Sequence, residues 1–179
     1  MLSLSKHIKN MKKHLLYFSI LTSSFLLSSC GFYSFTGASI PAGTETYQVN
    51  RFENTALLVE PGLERDFKLA LEDLIQNQTN LNLVPSNGDL VYEGEITDYR
   101  ISPTTATSQN TAAQNRLTIS VKLRFYNKKN EDDDLDQSFS FYYDYPGSSQ
   151  LVGSQKTAAH EEIFERITQD IFNATLAKW

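Results

Sequence analysis

Apolar and polar positions alternate most regularly over "NRLTISVKLRFYN", residues 115–127. Leu117, Ile119, Val121, Leu123 and Phe125 fall on one side, and Arg116, Thr118, Ser120, Lys122, Arg124 and Tyr126 on the other. A period of two with one greasy side predicts a strand with one buried face. "DLVYEGEITDYRIS" sets Leu90, Tyr92, Gly94 and Ile96 against Val91, Glu93 and Glu95, then slips phase near Asp98, which predicts a bulge. "DQSFSFYYDY" brings Phe139, Phe141, Tyr143 and Tyr145 together. "LNLVP" is short and leads to Asn87-Gly88, a strong turn signal. Upstream, "TYQVNRF" and "NTALLVE" read as a first strand with an irregularity near Asn54, and "NKKNEDDD" as a charged hairpin loop.

Two stretches change period. Leu63, Phe67, Ala70, Leu71, Leu74 and Ile75 recur at three- and four-residue spacing, the stripe of an amphipathic helix ending near Asn77 to Asn80. Pro61 suits its first turn, where a missing N–H costs nothing. From about Thr157, Ala159, Ile163, Ile167, Ile171 and Ala174 make a second helix, with Glu161 and Glu162 expected in its first turn.

The order is β-α-β-β-β-α, with "LNLVP" as the opening of the second strand or a short edge. A strand–helix–strand unit makes its strands parallel, and the loop-joined strands that follow run antiparallel. The expected fold is α+β: a two-layer sandwich, a mixed sheet of about four strands with both helices on one face. Alternating strands cannot be buried on both sides by an apolar core, so the other face stays polar and open.

The first thirty residues follow a different logic. Lys12, Lys13 and His14 precede an apolar run from Leu15 to Leu27, and Ser28 and Ser29 lead to Cys30. A basic head, a short apolar middle and small residues at the cut make an export signal, too short to span a bilayer. Met11 places the lysines directly at its head and is an alternative start. "LLSSC" resembles the bacterial lipobox, whose cysteine is alkylated with diacylglycerol before the signal is cut. Cys30 is the sole cysteine, so it is expected to be a lipid anchor and no disulfide forms within the chain. The expected divisions are residues 1–29 as signal, 30–46 as lipidated N-terminus and tether, and 47–179 as one α/β domain.

Of the 16 basic residues, Lys6, Lys9, Lys12 and Lys13 leave with the signal. Twelve remain against 21 acidic ones, a net charge of −9. That acidity argues against nucleic acid or an anionic membrane surface as general partner. His160 is the one histidine after the signal, and a lone helical histidine is ordinarily a surface residue. No Ser-His-Asp setting, nucleophile elbow or Gly-rich phosphate loop is present, so no catalytic residue is expected. "EDDDLD" alternates Asp132, Asp134 and Asp136 as calcium loops do. Gln137 stands where the loop needs glycine and Tyr143 where it needs the closing glutamate. No metal or cofactor follows.

Two features remain. Arg116, Lys122 and Arg124, with Thr118 and Ser120 between, line the open side of the cleanest strand. One reading is cross-strand pairing with Glu93 and Glu95; the other is a docking strip for a phosphorylated or carboxylated partner. The second feature is the uncharged connection 102–115, whose Ser102, Thr104, Thr105, Thr107, Gln109 and Asn110 suit either insertion beside another protein's wall or simple flexibility.

"CGFYSFTGASI" (30–40), "GDLVYEGEITDY" (88–99), "NRLTISV" (115–121) and "DIFNATLAKW" (170–179) resemble, in family order, segments of the lipopolysaccharide-assembly lipoprotein family, LptE, in its Bacteroidetes-type form. The resemblance implies two helices on a sheet of about four strands. It also implies a lipoprotein in the inner leaflet of the outer membrane that plugs a very large β-barrel, LptD, helps it assemble, and assists lipopolysaccharide to the outer leaflet. Only barrels of many strands hold a plugged lumen. Gly31 after the lipid cysteine, with no acidic residue there, is compatible with outer-membrane sorting. The resemblance carries over no catalytic residue. Arg116, Lys122 and Arg124 are candidates for lipopolysaccharide contact by geometry alone, and residues of 102–115 for barrel contact. The rival functions are a lipid-binding carrier, which needs an apolar cavity, and a pilotin for another secretion barrel.

Overall fold

The computed structural model describes residues 40, 42–104, 114–147 and 149–177. The elements run β1 (Thr46–Val49), β2 (Glu53–Asn54), α1 (Leu63–Gln78), β3 (Asn82–Leu83), β4 (Leu90–Thr104), β5 (Gln114–Asn127), a 3-10 turn (Glu131–Asp133), β6 (Leu135–Pro146) and α2 (Gly153–Leu176). The fold is α+β. Its sheet is mixed, in the order β3-β1-β4-β5-β6 with β2 also on β4. β1 and β2 run parallel to β4, and β4, β5 and β6 are antiparallel.

The sheet has six strands, not about four. The first expected strand is two, because Val49 pairs with Tyr92 and Glu53 with Glu95. Four residues thus cover a step that β4 covers in three. The extra residue turns Arg51 outward and buries Phe52 completely, where unbroken alternation would do the reverse. The irregularity therefore lies at 50–52 rather than near Asn54, and "ALLVE" does not continue the strand. β3 pairs as a separate two-residue edge on β1. The Asn-Gly turn after it places Asn87 at φ 59, a left-handed conformation that asparagine tolerates.

The alternation on β4 and β5 is realised as written. Leu90, Tyr92 and Ile96, and Leu117, Ile119, Val121, Leu123 and Phe125, are buried in one core with Phe67, Leu71 and Ile75 of α1 and Ile163, Ile167 and Ile171 of α2. The register shift on β4 falls between Ile96 and Asp98 and returns Tyr99 to the buried side. Three tyrosines of the buried sheet face tie the helices to it. Tyr47 donates to the Glu72 carbonyl on α1 (3.1 Å), Tyr92 meets Thr175 on α2 (3.3 Å), and Tyr99 meets His160 on α2 (3.1 Å). Burial pushes the hydroxyls of Tyr47 and Tyr99 up to about 12 and that of Tyr92 higher still, so all three stay neutral.

Both helix starts differ from expectation. Pro61 lies outside α1, one residue before its N-cap Gly62. The second helix begins at Gly153, a turn earlier than Thr157, so Glu161 and Glu162 lie beyond its first turn, which holds no acidic residue.

Gly94 is a required glycine. A Cβ there would strike the Lys122 carbonyl on β5 and lie 3.0 Å from the Phe52 ring, which fills the space over the backbone. Gly94→Val should destabilise the fold by about 1–3 kcal/mol through overpacking, read as a lower urea midpoint. Asp89 closes the other end of β4. It accepts from the N–H groups of Glu45 and Thr46 (3.0 and 3.1 Å), from Thr46 Oγ1 (2.9 Å) and from Lys129 (3.1 Å). These bonds, the Glu45 N–H foremost, hold its carboxyl well below the ordinary 3.8. A depressed pKa contributes stability above the ordinary value that is lost as pH falls through the folded one. Asp89→Asn should therefore lower stability at neutral pH and flatten its decline below about pH 4, followed by urea titrations.

Candidate functional site

The outward side of β5 is flanked by outward residues of β4 and β6, and register decides which charges meet. Arg116 stands opposite Asp144, Lys122 opposite Glu95, and Arg124 opposite both Glu93 and Asp136. Arg116 forks onto Asp144 through two hydrogen bonds (2.7 and 2.8 Å) and lies 3.5 Å over the Tyr142 ring. Lys122 reaches Asp136 diagonally at 3.5 Å, and Arg124 reaches Glu93 at 3.3 Å. Glu95 instead accepts from Thr55 (3.2 Å). Between the charged rungs, Ser120 donates to Ser140 at 2.9 Å.

The three cations do lie on one half-exposed surface, as alternation requires, and each has a carboxylate partner there. Two of those partners, Asp136 and Asp144, come from β6 rather than β4. The row is a ladder of opposite charges, not a bare basic strip. Hydrogen bonding to Asp144 raises the pKa of Arg116 and lowers that of Asp144, and hydrogen bonding to Glu93 raises that of Arg124.

Other candidates are placed as follows. Ser102 pairs across from Arg116, and the Thr104 hydroxyl donates to the Gln114 carbonyl (3.0 Å), closing the mouth of the β4–β5 connection. Thr105, Thr107, Gln109 and Asn110 lie outside the described residues, as does Cys30. His160 is half-buried against Tyr99 and Phe164 rather than a plain surface residue, and burial lowers its pKa.

Sequence reasoning missed two groups. Asp136, Ser138, Ser140, Tyr142 and Asp144 occupy alternate positions opposite the β6 aromatics, and that period was the available signal. Leu57, Leu58 and Val59 were placed in a strand. They are instead exposed at 106%, 52% and 59% in the loop after β2. The parallel pairing of β2 with β4 directs this loop towards the Thr104 end of β4, the end where Arg116 also lies. Arg100, exposed beyond the β4 bulge, faces Thr118 at the same end, 3.8 Å from Asp98.

Among the described residues no helix is long and apolar enough to cross a membrane, and no cluster of three or more His, Cys, Asp or Glu could hold a metal ion.

The family model described as LptE, lipopolysaccharide-assembly, matches residues 44–175, which include every described strand and nearly all of both helices. No curated protein matches the sequence. Among solved structures, a hypothetical protein from Chlamydia trachomatis is similar at 12% identity and TM-score 0.50, over 75% of this chain and 99% of that one. A minor lipoprotein from Acinetobacter baumannii is 11% identical with TM-score 0.45, over 76% and 98%. The rare lipoprotein B from Shewanella oneidensis is 11% identical with TM-score 0.41, over 71% and 89%. The likeness to the Chlamydia trachomatis structure is one of fold alone.

The Arg116–Asp144 rung makes a direct prediction. Arg116→Gln should let the Asp144 carboxyl rise back towards its ordinary 3.8, observed by carboxyl NMR titration, while Arg124→Gln leaves Asp144 where it is. The rung's contribution is present above that ordinary value and disappears as pH drops through the folded one.

Proposed function

The chain belongs to the LptE family of lipopolysaccharide-assembly proteins, and from that membership we propose that it is a non-enzymatic lipoprotein of the outer membrane that plugs and helps assemble the lipopolysaccharide-translocating β-barrel. The family match over 44–175 carries this reading. In it, Cys30 bears the lipid anchor, residues 30–46 tether the domain, and the two helices form one layer over one side of the sheet. The other side is left for a larger host to enclose.

The geometry supports the reading in two ways. The outward face of β5 is polar but internally neutralised, so it can be enclosed by a hydrated barrel wall without stranding a net charge. The aliphatic Leu57–Val59 loop is exposed, and the parallel pairing of β2 directs it towards the Thr104 end of the sheet, the end at which Arg100 and Arg116 also lie. An amphiphile with phosphates and acyl chains requires both kinds of group, and lipopolysaccharide is one. Exposed ion pairs are weak in water, so a phosphate can displace Asp136 from Lys122 or Glu93 from Arg124. The connection 102–115, Ser102 and Thr104 included, is the stretch we assign to the barrel wall.

Affinity purification of the tagged protein from gently solubilised outer membranes should bring down a large β-barrel; recovery of monomer alone contradicts the plug. Lys122→Glu with Arg124→Glu should weaken lipopolysaccharide binding several-fold with the circular-dichroism spectrum unchanged. Unchanged binding would leave those cations with ion pairing as their whole role.

A further inference from the structure

A groove of about 530 Å³ lies between α1 and α2, beside the stripes that face the core. Its lining residues are Asp66, Leu69, Ala70, Asp73, Leu74 and Asn77 on α1. On α2 they begin at Thr157 and end at Thr168. Both sets follow one spacing, i, i+3, i+4, i+7, i+8, i+11, which is how two helices present a seam to a third. Eleven residues at 1.5 Å rise make the groove about 16 Å long, or three helical turns. Its ends are closed by the Lys156–Glu60 ion pair (2.6 Å) and the Gln78–Gln169 hydrogen bond (3.1 Å).

The floor is apolar, made by Leu69, Leu74 and Phe164, with Leu69 exposed at 49%. The rim is acidic. Asp66 is taken up by Arg65 at 2.9 Å, whereas Asp73, Glu161 and Glu165 form no ion pair among the described residues. Among the described residues no lysine or arginine lines the groove. An apolar trough edged by uncompensated carboxylates is poorly matched to water and well matched to one kind of occupant.

We propose that this groove docks a cationic amphipathic helix of about three turns from another protein, its apolar side on Leu69, Leu74 and Phe164 and its lysines or arginines against Asp73, Glu161 and Glu165. A second copy of this chain is disfavoured by charge, since acid would face acid. Residues 31–45 contain no lysine or arginine and supply no complement. The inference rests on the groove alone and is independent of the lipopolysaccharide-assembly reading.

The test uses the full chain in phosphatidylcholine nanodiscs and a fluorescent 12-residue helical probe of leucines at seam spacing and lysines elsewhere. Anisotropy should show binding by the lysine probe and none by its glutamate counterpart. Asp73→Lys with Glu161→Lys and Glu165→Lys should weaken the lysine probe at least about tenfold, and Leu69→Ser at least about threefold. A control with the same charge change elsewhere, Glu53→Lys with Glu131→Lys and Asp132→Lys, should alter affinity less than about twofold. Equal loss in both triple variants, or no effect of Leu69→Ser, overturns the proposal by reducing it to net charge. A dimer released by the groove variant, or binding only once residues 1–29 are removed, assigns the groove to a second copy or to the chain's own leader and overturns it as well.

Discussion

The structure depends on burying one side of the β4–β5 pair. Ten positions on these two strands commit their apolar side chains, or in Gly94 the lack of one, to a single surface. Residues of both helices share the core that this surface enters, and the tyrosines that cross it each need a partner on the far side. Tyr47, Tyr92 and Tyr99 find theirs in a helix carbonyl, a threonine and a histidine, so the polar tips that aromatic burial would otherwise strand become the links between sheet and helices. The bulge at 50–52 serves the same surface: it turns an arginine out and brings Phe52 over Gly94, where any side chain on β4 would collide.

The outward side follows from the same commitment. Period two leaves it with the charged and hydroxylated half of each strand, and antiparallel register then brings opposite charges face to face. The result is a polar surface that needs no partner to be stable yet holds its charges in weak, exchangeable pairs. That suits the proposed role, in which the protein folds alone and is enclosed later. The helix side differs, because its surplus carboxylates at Asp73, Glu161 and Glu165 lack such compensation among the described residues.

Much of this was legible in the sequence. Strict alternation in β5 marked every buried apolar residue on it, and the phase slip at Asp98 marked the β4 bulge. The parallel-then-antiparallel order followed from which connections contain a helix. The count of six strands was not legible. A bulge at 50–52 adds one residue without disturbing composition, and two-residue strands such as β2 and β3 carry no periodicity. The start of α2 was missed because Gly153 to Lys156 shows no apolar stripe. For the site, sequence placed Arg116, Lys122 and Arg124 correctly on one surface but could not give their partners. Those depend on register with β6, which pairs Arg116 with Asp144 and sets Lys122 within reach of Asp136. The exposed Leu57–Val59 loop read as strand because aliphatic runs look alike whether they are buried or not.

In the proposed plug, the outward face of the sheet is the surface enclosed in the membrane assembly. Ser120 lies at its middle, on β5 opposite Ser140. Thiol labelling of Ser120→Cys, in a chain whose Cys30 is blocked by lipid, tests the claim most directly. The account predicts ready labelling of the isolated protein and strong protection in native outer membranes. Equal labelling in both would show that the face is open in the assembly and contradict the account.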